Sequence, residues 1–420
     1  VGRAYDELTR TGFLRRTQGA GSWTALPDGA RPGVGLRVTL PGGVAPDVVN
    51  LSVAAPPAPE GLAAAAAFAL DELPRHTAGM GYGAAGIDDL RQVVAERFSA
   101  RGLPTRPGQV MVCGGAQHGL HLVLGLLCKP GDRVLVDDPG YPRTLTAIAA
   151  ARCRPVAVPL TPDGWDADAW EHAIRHARPA LAVTVADFHN PTGRTMPAET
   201  RARIVAACAR AGTTLVIDET NAELRLDGPP LPPPVATFER GPTVITVGSL
   251  SKASWGGLRV GWVRASGRAV GELAAVRADQ DAASPILEQL VATQLVRDLD
   301  AARAARHRLL AQRRDALIGA VARHAPHWTA RMPHGGLCTW WDLGRAVSSS
   351  LCEAALGAGI HVTPGSAFTA GTTGERFLRL PYVLAEDELE DAVARLAALE
   401  EGLVPIDAAR PSRRAALDAV

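Results

Sequence analysis

Val244-Ile245-Thr246-Val247-Gly248-Ser249-Leu250-Ser251-Lys252 sets a lysine just after a short, nearly all-apolar β-rich run. Such a run suits a strand covered on both faces. Lys129 and Lys252 are the only lysines among 44 basic residues, the other 42 being arginine. A chain that uses Arg almost wherever it needs a cation retains lysine where a deprotonatable amine matters, because a guanidinium forms no imine. Lys129 lies in Cys128-Lys129-Pro130-Gly131-Asp132, a turn signal, and reads as a solvated loop charge. Lys252 reads as a chemical group.

Working outward, comparable runs occur at Val110–Val112, Val134–Val136, Val156–Val158, Leu181–Val185, Leu215–Ile217 and Val260–Val263. Helical patterns such as Leu90 to Phe98 and Thr200 to Ala211 lie between them. This alternation predicts α/β layering around a mostly parallel sheet, a large domain spanning 86–290. From 291 to 405 a long Ala/Arg/Leu helix, a few strands and a closing helix at Asp387 to Leu399 predict a small α+β domain. Residues 50–85 lead into the large domain, and 406–420 read as a loose Arg-rich tail. The Gly/Pro-rich stretch 27–49 reads as a linker.

The 420 residues are 47% hydrophobic with a net charge of +1, enough for a large core but giving no global field for nucleic acid or membrane. No apolar run reaches the ~18 residues of a membrane span, and no secretory leader is visible. Cys113, Cys128, Cys153, Cys208, Cys338 and Cys352 are dispersed, which disfavours a disulfide framework or zinc site and fits a cytoplasmic protein.

In an open α/β sheet ligands bind beyond the C-terminal ends of the strands, and four polar clusters sit there. Gly114-Gly115-Ala116-Gln117 opens an apolar helix, whose N-terminus suits a phosphate. His189-Asn190-Pro191-Thr192-Gly193 follows the fourth run, Asp218 follows Leu215–Ile217, and Ser249-x-Ser251-Lys252 follows Val244–Val247, with Arg259 seven residues on. Asn190, Asp218 and Ser249 are each spaced by about one β-α-β repeat, so they should neighbour one another along one sheet edge. Singly, each has a bland reading as turn, cap or loop. Together, in this order, they describe an amine, a carboxylate, an amide and a phosphate cradle.

Residues 50 to 400 resemble the class I/II aminotransferases, the fold-type-I enzymes dependent on pyridoxal 5'-phosphate. Tyr82-Gly83-x-x-Gly86 looks like the family's early segment, whose Tyr reaches the phosphate of the neighbouring subunit, so a homodimer is implied. The resemblance makes Lys252 the aldimine-forming and catalytic lysine, Asp218 the partner of the ring nitrogen, and Asn190 a donor to the ring 3-oxygen beside the substrate. It makes Tyr141, in Asp138-Pro139-Gly140-Tyr141-Pro142, the stacking residue. Ala116, Gln117, Ser249, Ser251 and Arg259 would hold the phosphate, and Arg379, in Phe377-Leu378-Arg379-Leu380-Pro381, the substrate carboxylate. One departure stands out: the family usually has Asp-x-x-Tyr, and here Asp218 is followed at that spacing by Asn221. Its amide can donate to the 3-oxygen but is shorter and cannot become a phenolate. That leaves cofactor binding intact and puts efficient turnover in question.

Residues 1–26 resemble the end of a GntR-type winged helix-turn-helix. Val1-Gly2-Arg3-Ala4-Tyr5-Asp6-Glu7-Leu8 looks like part of the recognition helix, and Arg16-Thr17-Gln18-Gly19-Ala20-Gly21-Ser22-Trp23 like the wing, with Arg3, Arg15, Arg16, Gly19 and Gly21 toward DNA. This arrangement resembles the MocR regulators. The two helices that precede a recognition helix are not in the sequence, so the reader domain reads as truncated and specific DNA binding by these 420 residues is not expected. The leading expectation is a transcription regulator whose aminotransferase-like domain senses an amino compound or B6 vitamer by aldimine exchange at Lys252. The alternatives are a working amino-acid aminotransferase and, on the same fold, a decarboxylase or lyase.

Overall fold

The computed structural model describes Thr9, Leu14–Thr17, Gly21–Thr24 and residues 48–403 apart from 242 and 370–372. Arg3, Gly19, most of the expected linker and the tail from 406 lie outside the described residues. Val1–Leu40 forms one compact unit and Pro41–Val420 another. In the first, β1 (Leu14–Thr17) and β2 (Gly21–Thr24) pair antiparallel, Leu14 opposite Thr24 and Thr17 opposite Gly21. The glycine-bearing turn between two short runs predicts that hairpin.

In the second unit all seven apolar runs become strands of one sheet. They are β4 (Val110–Cys113), β5 (Arg133–Asp138), β6 (Arg154–Pro159), β7 (Leu181–Thr184), β8 (Thr214–Asp218), β9 (Val244–Ser249) and β10 (Gly261–Arg264), in the order β4-β10-β9-β8-β7-β5-β6. β10 runs against both of its neighbours, and the others share one direction. The reversal has a simple cause. The connection from Ser249 to Gly261 is shorter than the dozen or more residues a parallel crossover needs.

Strand residues alternate between the two faces, and the two cores record that alternation. Val110, Val112, Leu215, Ile217 and Val244 join one core with the helices Asp88–Ala100, Ala198–Ala211 and Ile286–Arg297. Met111, Cys113, Val216, Ile245, Val247 and Val263 join the other with Ala116–Leu127 and Gly267–Ala278. Each sheet face is thus covered by helices, and both periods of the strand are apolar for that reason. Continuing the alternation past the last apolar residue puts Asp218 and Ser249 on the second face, that of the helix opened by Gly115 and Ala116.

A third core gathers Leu310 to Ala397 together with Leu51. Its sheet is β11 (Cys338–Asp342), β14 (Phe377–Pro381) and β13 (Thr363–Pro364), all antiparallel. Val49–Asn50 (β3) pairs in parallel with Ile360–His361 (β12), so the chain leaves the Gly/Pro-rich stretch directly into this region. The helix Ile286–Arg297 straddles position 291, yet its Leu290 to Val296 pack in the first core. The helix Leu299–His324 follows after the single residue Asp298, so no turn or linker in the sequence marks where one core gives way to the other. Among the described residues no helix is long and apolar enough to cross a membrane, and no cluster of three or more His, Cys, Asp or Glu could hold a metal.

Candidate active site

β9 ends in Ser249, which caps the short helix Leu250–Ala253 by accepting from Ser251 N–H at 3.1 Å. That cap fixes Lys252 one turn in, at the strand's end. The Lys252 side chain is half-buried and its Nζ donates to the Ala54 carbonyl at 2.6 Å. Burial pushes the amine down to about 8; Arg379 and Arg143 push the same way, and Cys338 and Asp218 oppose. About a tenth of the amine is therefore neutral at pH 7, far more than for an ordinary lysine, and the neutral form is what nucleophilic attack on a carbonyl requires.

Asp218 ends β8, adjacent to β9 in the sheet. Its Oδ1 accepts from Thr220 N–H at 2.8 Å and from the Thr220 hydroxyl. The residue keeps a partly open face, yet protein surrounds the carboxyl, and burial raises it above the usual aspartate value; the Thr220 donors and Lys252 work against that rise. Asp218 pairs with no cation of its own chain at salt-bridge distance among the described residues, and a buried carboxyl without a cationic partner is poised to receive one.

The glycine turn lies at the end of β4. Gly115 has φ +106° and caps the helix Ala116–Leu127 with no side-chain hydrogen bond, so the first-turn N–H groups of that helix have no capping acceptor. Gly261 explains how the turn reaches the lysine strand. It pairs with Cys113 on one side and Ser249 on the other, and a Cβ there would stand 2.6 Å from Gly115 Cα and 2.5 Å from the Gly248 carbonyl. Arg259, whose side chain is exposed, donates through Nη2 to the Gly114 carbonyl at 2.8 Å. A Cβ on Gly115 would lie 3.2 Å from that Nη2 and 3.7 Å from Ser249 Oγ. Ser249, Ser251, Arg259 and the start of the helix thus converge on one small cradle. Gln117 turns aside, its Nε2 donating to the Arg143 carbonyl at 3.1 Å.

Arg379 occupies the middle of β14, opposite Trp340 and Thr363. It is 5% exposed; its Nη2 donates to the Ser52 carbonyl and its guanidinium lies 5.1 Å over the Phe368 ring, while its Nε is buried without a partner. No carboxylate of the described residues forms an ion pair with it. Burial lowers its pKa from the usual arginine value, the mark of a cation kept from water without a counter-ion.

Tyr141 caps the helix Pro142–Ala150 and is electrostatically coupled to Arg143, Asp218 and Arg379; burial raises its phenol, and Arg143 opposes. Asn190 is half-buried, its Oδ1 3.9 Å from Cys338 Sγ. Asn221 has committed its Nδ2 to the Phe188 carbonyl at 2.9 Å. Tyr82 is 78% exposed and is not brought to the cleft within one chain. Arg15, Arg16 and Gly21 fall on the hairpin strands of the other unit.

Three features of the cleft were not visible in the sequence. Cys338 is buried, and its thiol, raised by burial, is coupled to both Arg379 and Lys252. Arg143 adds a second cation near the amine, hidden among 42 arginines. The carbonyls of Ser52 and Ala54 reach Arg379 and Lys252 from a segment some 200 residues before the lysine, a purely tertiary contact. The assembled groups are an amine of lowered basicity, a buried acid, an anion cradle and an unpaired guanidinium.

Residues 46–396 match the family Aminotransferase class I and II. The 2-aminoadipate transaminase of Thermus thermophilus is 30% identical over 330 residues, 76% of this chain and 81% of that protein. The uncharacterized HTH-type transcriptional regulator YdcR of Escherichia coli is 28% identical over 316 residues, 74% of this chain and 67% of that protein. Among solved structures, LysN, the α-aminoadipate aminotransferase of Thermus thermophilus complexed with N-(5'-phosphopyridoxyl)-L-leucine, superposes with a TM-score of 0.77. It is 28% identical, over 85% of this chain and 93% of that one.

Proposed function

The chain belongs to the class I and II aminotransferases, and we propose that its pyridoxal phosphate site serves to sense an amino compound or B6 vitamer for a MocR-type transcription regulator. The cofactor of the family is pyridoxal 5'-phosphate, and the residues present fit it. Lys252 is the half-buried amine, the uncapped helix start at Ala116 offers N–H donors to a phosphate, and the orphaned Arg379 Nε offers one to a carboxylate.

When bound, pyridoxal phosphate supplies an aldehyde that captures amines and a ring that accepts electrons. Lys252 would hold that aldehyde and, once displaced by an incoming amine, accept or return a proton at the ligand's Cα. Asp218 would keep a proton on the ring nitrogen, and that cation would restore the carboxyl to its ionised form. Ala116, Gln117, Ser249, Ser251 and Arg259 would hold the phosphate, Tyr141 would stack on the ring, and Asn190 would donate to the 3-oxygen. Arg379 would bind the α-carboxylate. Tyr82 would complete the site of a second copy, making the working unit a homodimer. Arg3, Arg15, Arg16, Gly19 and Gly21 would lie toward DNA.

The single observation carrying the sensor reading is Asn221. It is an amide, one Nδ2 hydrogen of which is given to the Phe188 carbonyl, so no ionisable hydroxyl stands at that position. Capture of an amine at Lys252 needs no such group; rapid proton transfer benefits from one. The second reading, a working aminotransferase, is favoured by the complete amine, acid and carboxylate-binding set and by the likeness to the 2-aminoadipate transaminase.

Borohydride reduction of the loaded protein is expected to fix the cofactor on the peptide bearing Lys252, with no covalent adduct in Lys252→Ala. A tag on another residue defeats the site. Mixing with amino acids then separates the readings. Release of Lys252 without accumulation of pyridoxamine phosphate supports the sensor; its stoichiometric formation in seconds supports the enzyme.

A further inference from the structure

Gly115, at φ +106°, holds a backbone conformation that glycine adopts freely and side-chain-bearing residues rarely do, and hydrogen bonds from outside the Gly114–Gly115 turn hold it there. It has two supports. Arg259 Nη2 donates to the Gly114 carbonyl at 2.8 Å. On the other side of the same residue, Gly114 N–H donates to His118 Nδ1 at 3.1 Å. His118 lies in the first turn of the helix that starts at Ala116, so it ties that helix back to the turn that precedes it.

The direction of the second bond fixes the state of the ring. A backbone N–H only donates, so Nδ1 must carry a lone pair and the proton of neutral imidazole sits on Nε2. Imidazolium donates from both nitrogens and would set one N–H against another. We propose that His118 is a positioning residue for the phosphate seat: as neutral imidazole it fixes the Gly114 peptide so that the N–H groups of Ala116 and Gln117 point into the cradle, and protonation releases that grip. The inference rests on reading this cradle as the seat of the cofactor's phosphate.

The charged groups facing the ring are Asp281, Arg277, His121 and Arg259. Asp281 Oδ2 is 3.7 Å from Nδ1 and favours the charged ring, but that carboxylate is shared with buried Arg277, which donates to it at 2.7 and 3.1 Å. Burial is the largest influence and holds His118 below its ordinary value of 6.5; Asp281 opposes, while Arg277, His121 and Arg259 add to the lowering. The sign follows directly. The folded state favours the neutral ring, so the grip is fully present above 6.5 and is lost as pH falls through the lower folded value.

The test titrates the full chain with pyridoxal phosphate and, separately, with pyridoxal, which lacks the phosphate, across about pH 5 to 8.5. His118→Leu removes the acceptor; His118→Gln keeps an acceptor that does not titrate. At pH 8 His118→Leu is expected to weaken pyridoxal phosphate about five- to tenfold, the worth of one hydrogen bond, and to leave pyridoxal unchanged. His118→Gln is expected to recover most of that affinity and to lose less of it at acid pH than the parent chain. Ionisation of the cofactor's own phosphate is common to both proteins and cancels in the comparison. Parental affinity for both ligands in His118→Leu, or identical pH profiles for the parent and His118→Gln, overturns the role. If instead the parent binds the two ligands equally and Arg259→Leu changes neither, the cradle itself is misread, whatever His118 does.

Discussion

Lys252 is one of two lysines in a chain that otherwise relies on arginine, and its surroundings explain why a guanidinium cannot replace it. Burial strips water from the ammonium form, and the neighbouring arginines add repulsion, so the amine titrates near 8. Capture of pyridoxal phosphate should therefore speed up as pH rises, with its midpoint near 8. Arg379 contributes to the lowering, so Arg379→Leu should move the midpoint upward; Asp218 opposes the lowering, so Asp218→Asn should move it downward. Stopped-flow absorbance of cofactor binding reads both shifts, and displacements in the reverse directions would sink this electrostatic account. Arg379→Leu should also weaken carboxylate-bearing amines on the order of thirtyfold while sparing amines without a carboxylate, as expected for one charge-assisted contact of about 2 kcal/mol. Equal losses for both ligand classes would mean the residue only supports the fold.

At the scale of elements, the site depends on β10, the one reversed strand of the sheet. It separates the glycine-turn strand β4 from the lysine strand β9, and Gly261 lets both come together because it has no side chain. Gly261→Val should lower thermal stability by about 1–3 kcal/mol, the usual cost of overpacking, and weaken pyridoxal phosphate more than pyridoxal. Calorimetry and the paired titrations check the two effects; unchanged discrimination for the phosphate would disconnect β10 from the cradle. Gly271, a helical glycine with nothing within 4 Å of an added Cβ, makes a suitable control. Gly271→Ala should be neutral or stabilising.

Across the whole molecule, the strongest indication of a partner is an exposed apolar segment ahead of the first large-domain helix. Met80 is 90% exposed and Tyr82 78%. Two such residues within three positions suit a contact surface better than scattered single ones would. The expected state is a two-fold dimer in which Tyr82 reaches the other copy's phosphate. Sedimentation should give twice the chain mass, and Met80→Asp with Tyr82→Ala should lower cofactor affinity in proportion to the loss of dimer. A stable monomer that retains full cofactor occupancy would remove Tyr82 from the site.

Much of this was legible in the sequence, for an identifiable reason. Strands covered on both faces must be apolar at both periods, so all seven runs declared themselves as β, and the polar clusters at their ends marked a candidate site edge. Lysine scarcity singled out Lys252 because imine chemistry admits no substitute among the basic side chains. Strand order was another matter. The reversal of β10, the approach of Ser52 and Ala54 to the two cations, and the placing of Cys338 and Arg143 in the cleft arise from contacts between residues far apart in the chain, and no local pattern encodes them. The residue types and their spacing decided which chemistry is available. Tertiary packing decided the protonation states and the unpaired guanidinium, because burial and neighbouring charge exist only once the chain has closed around them.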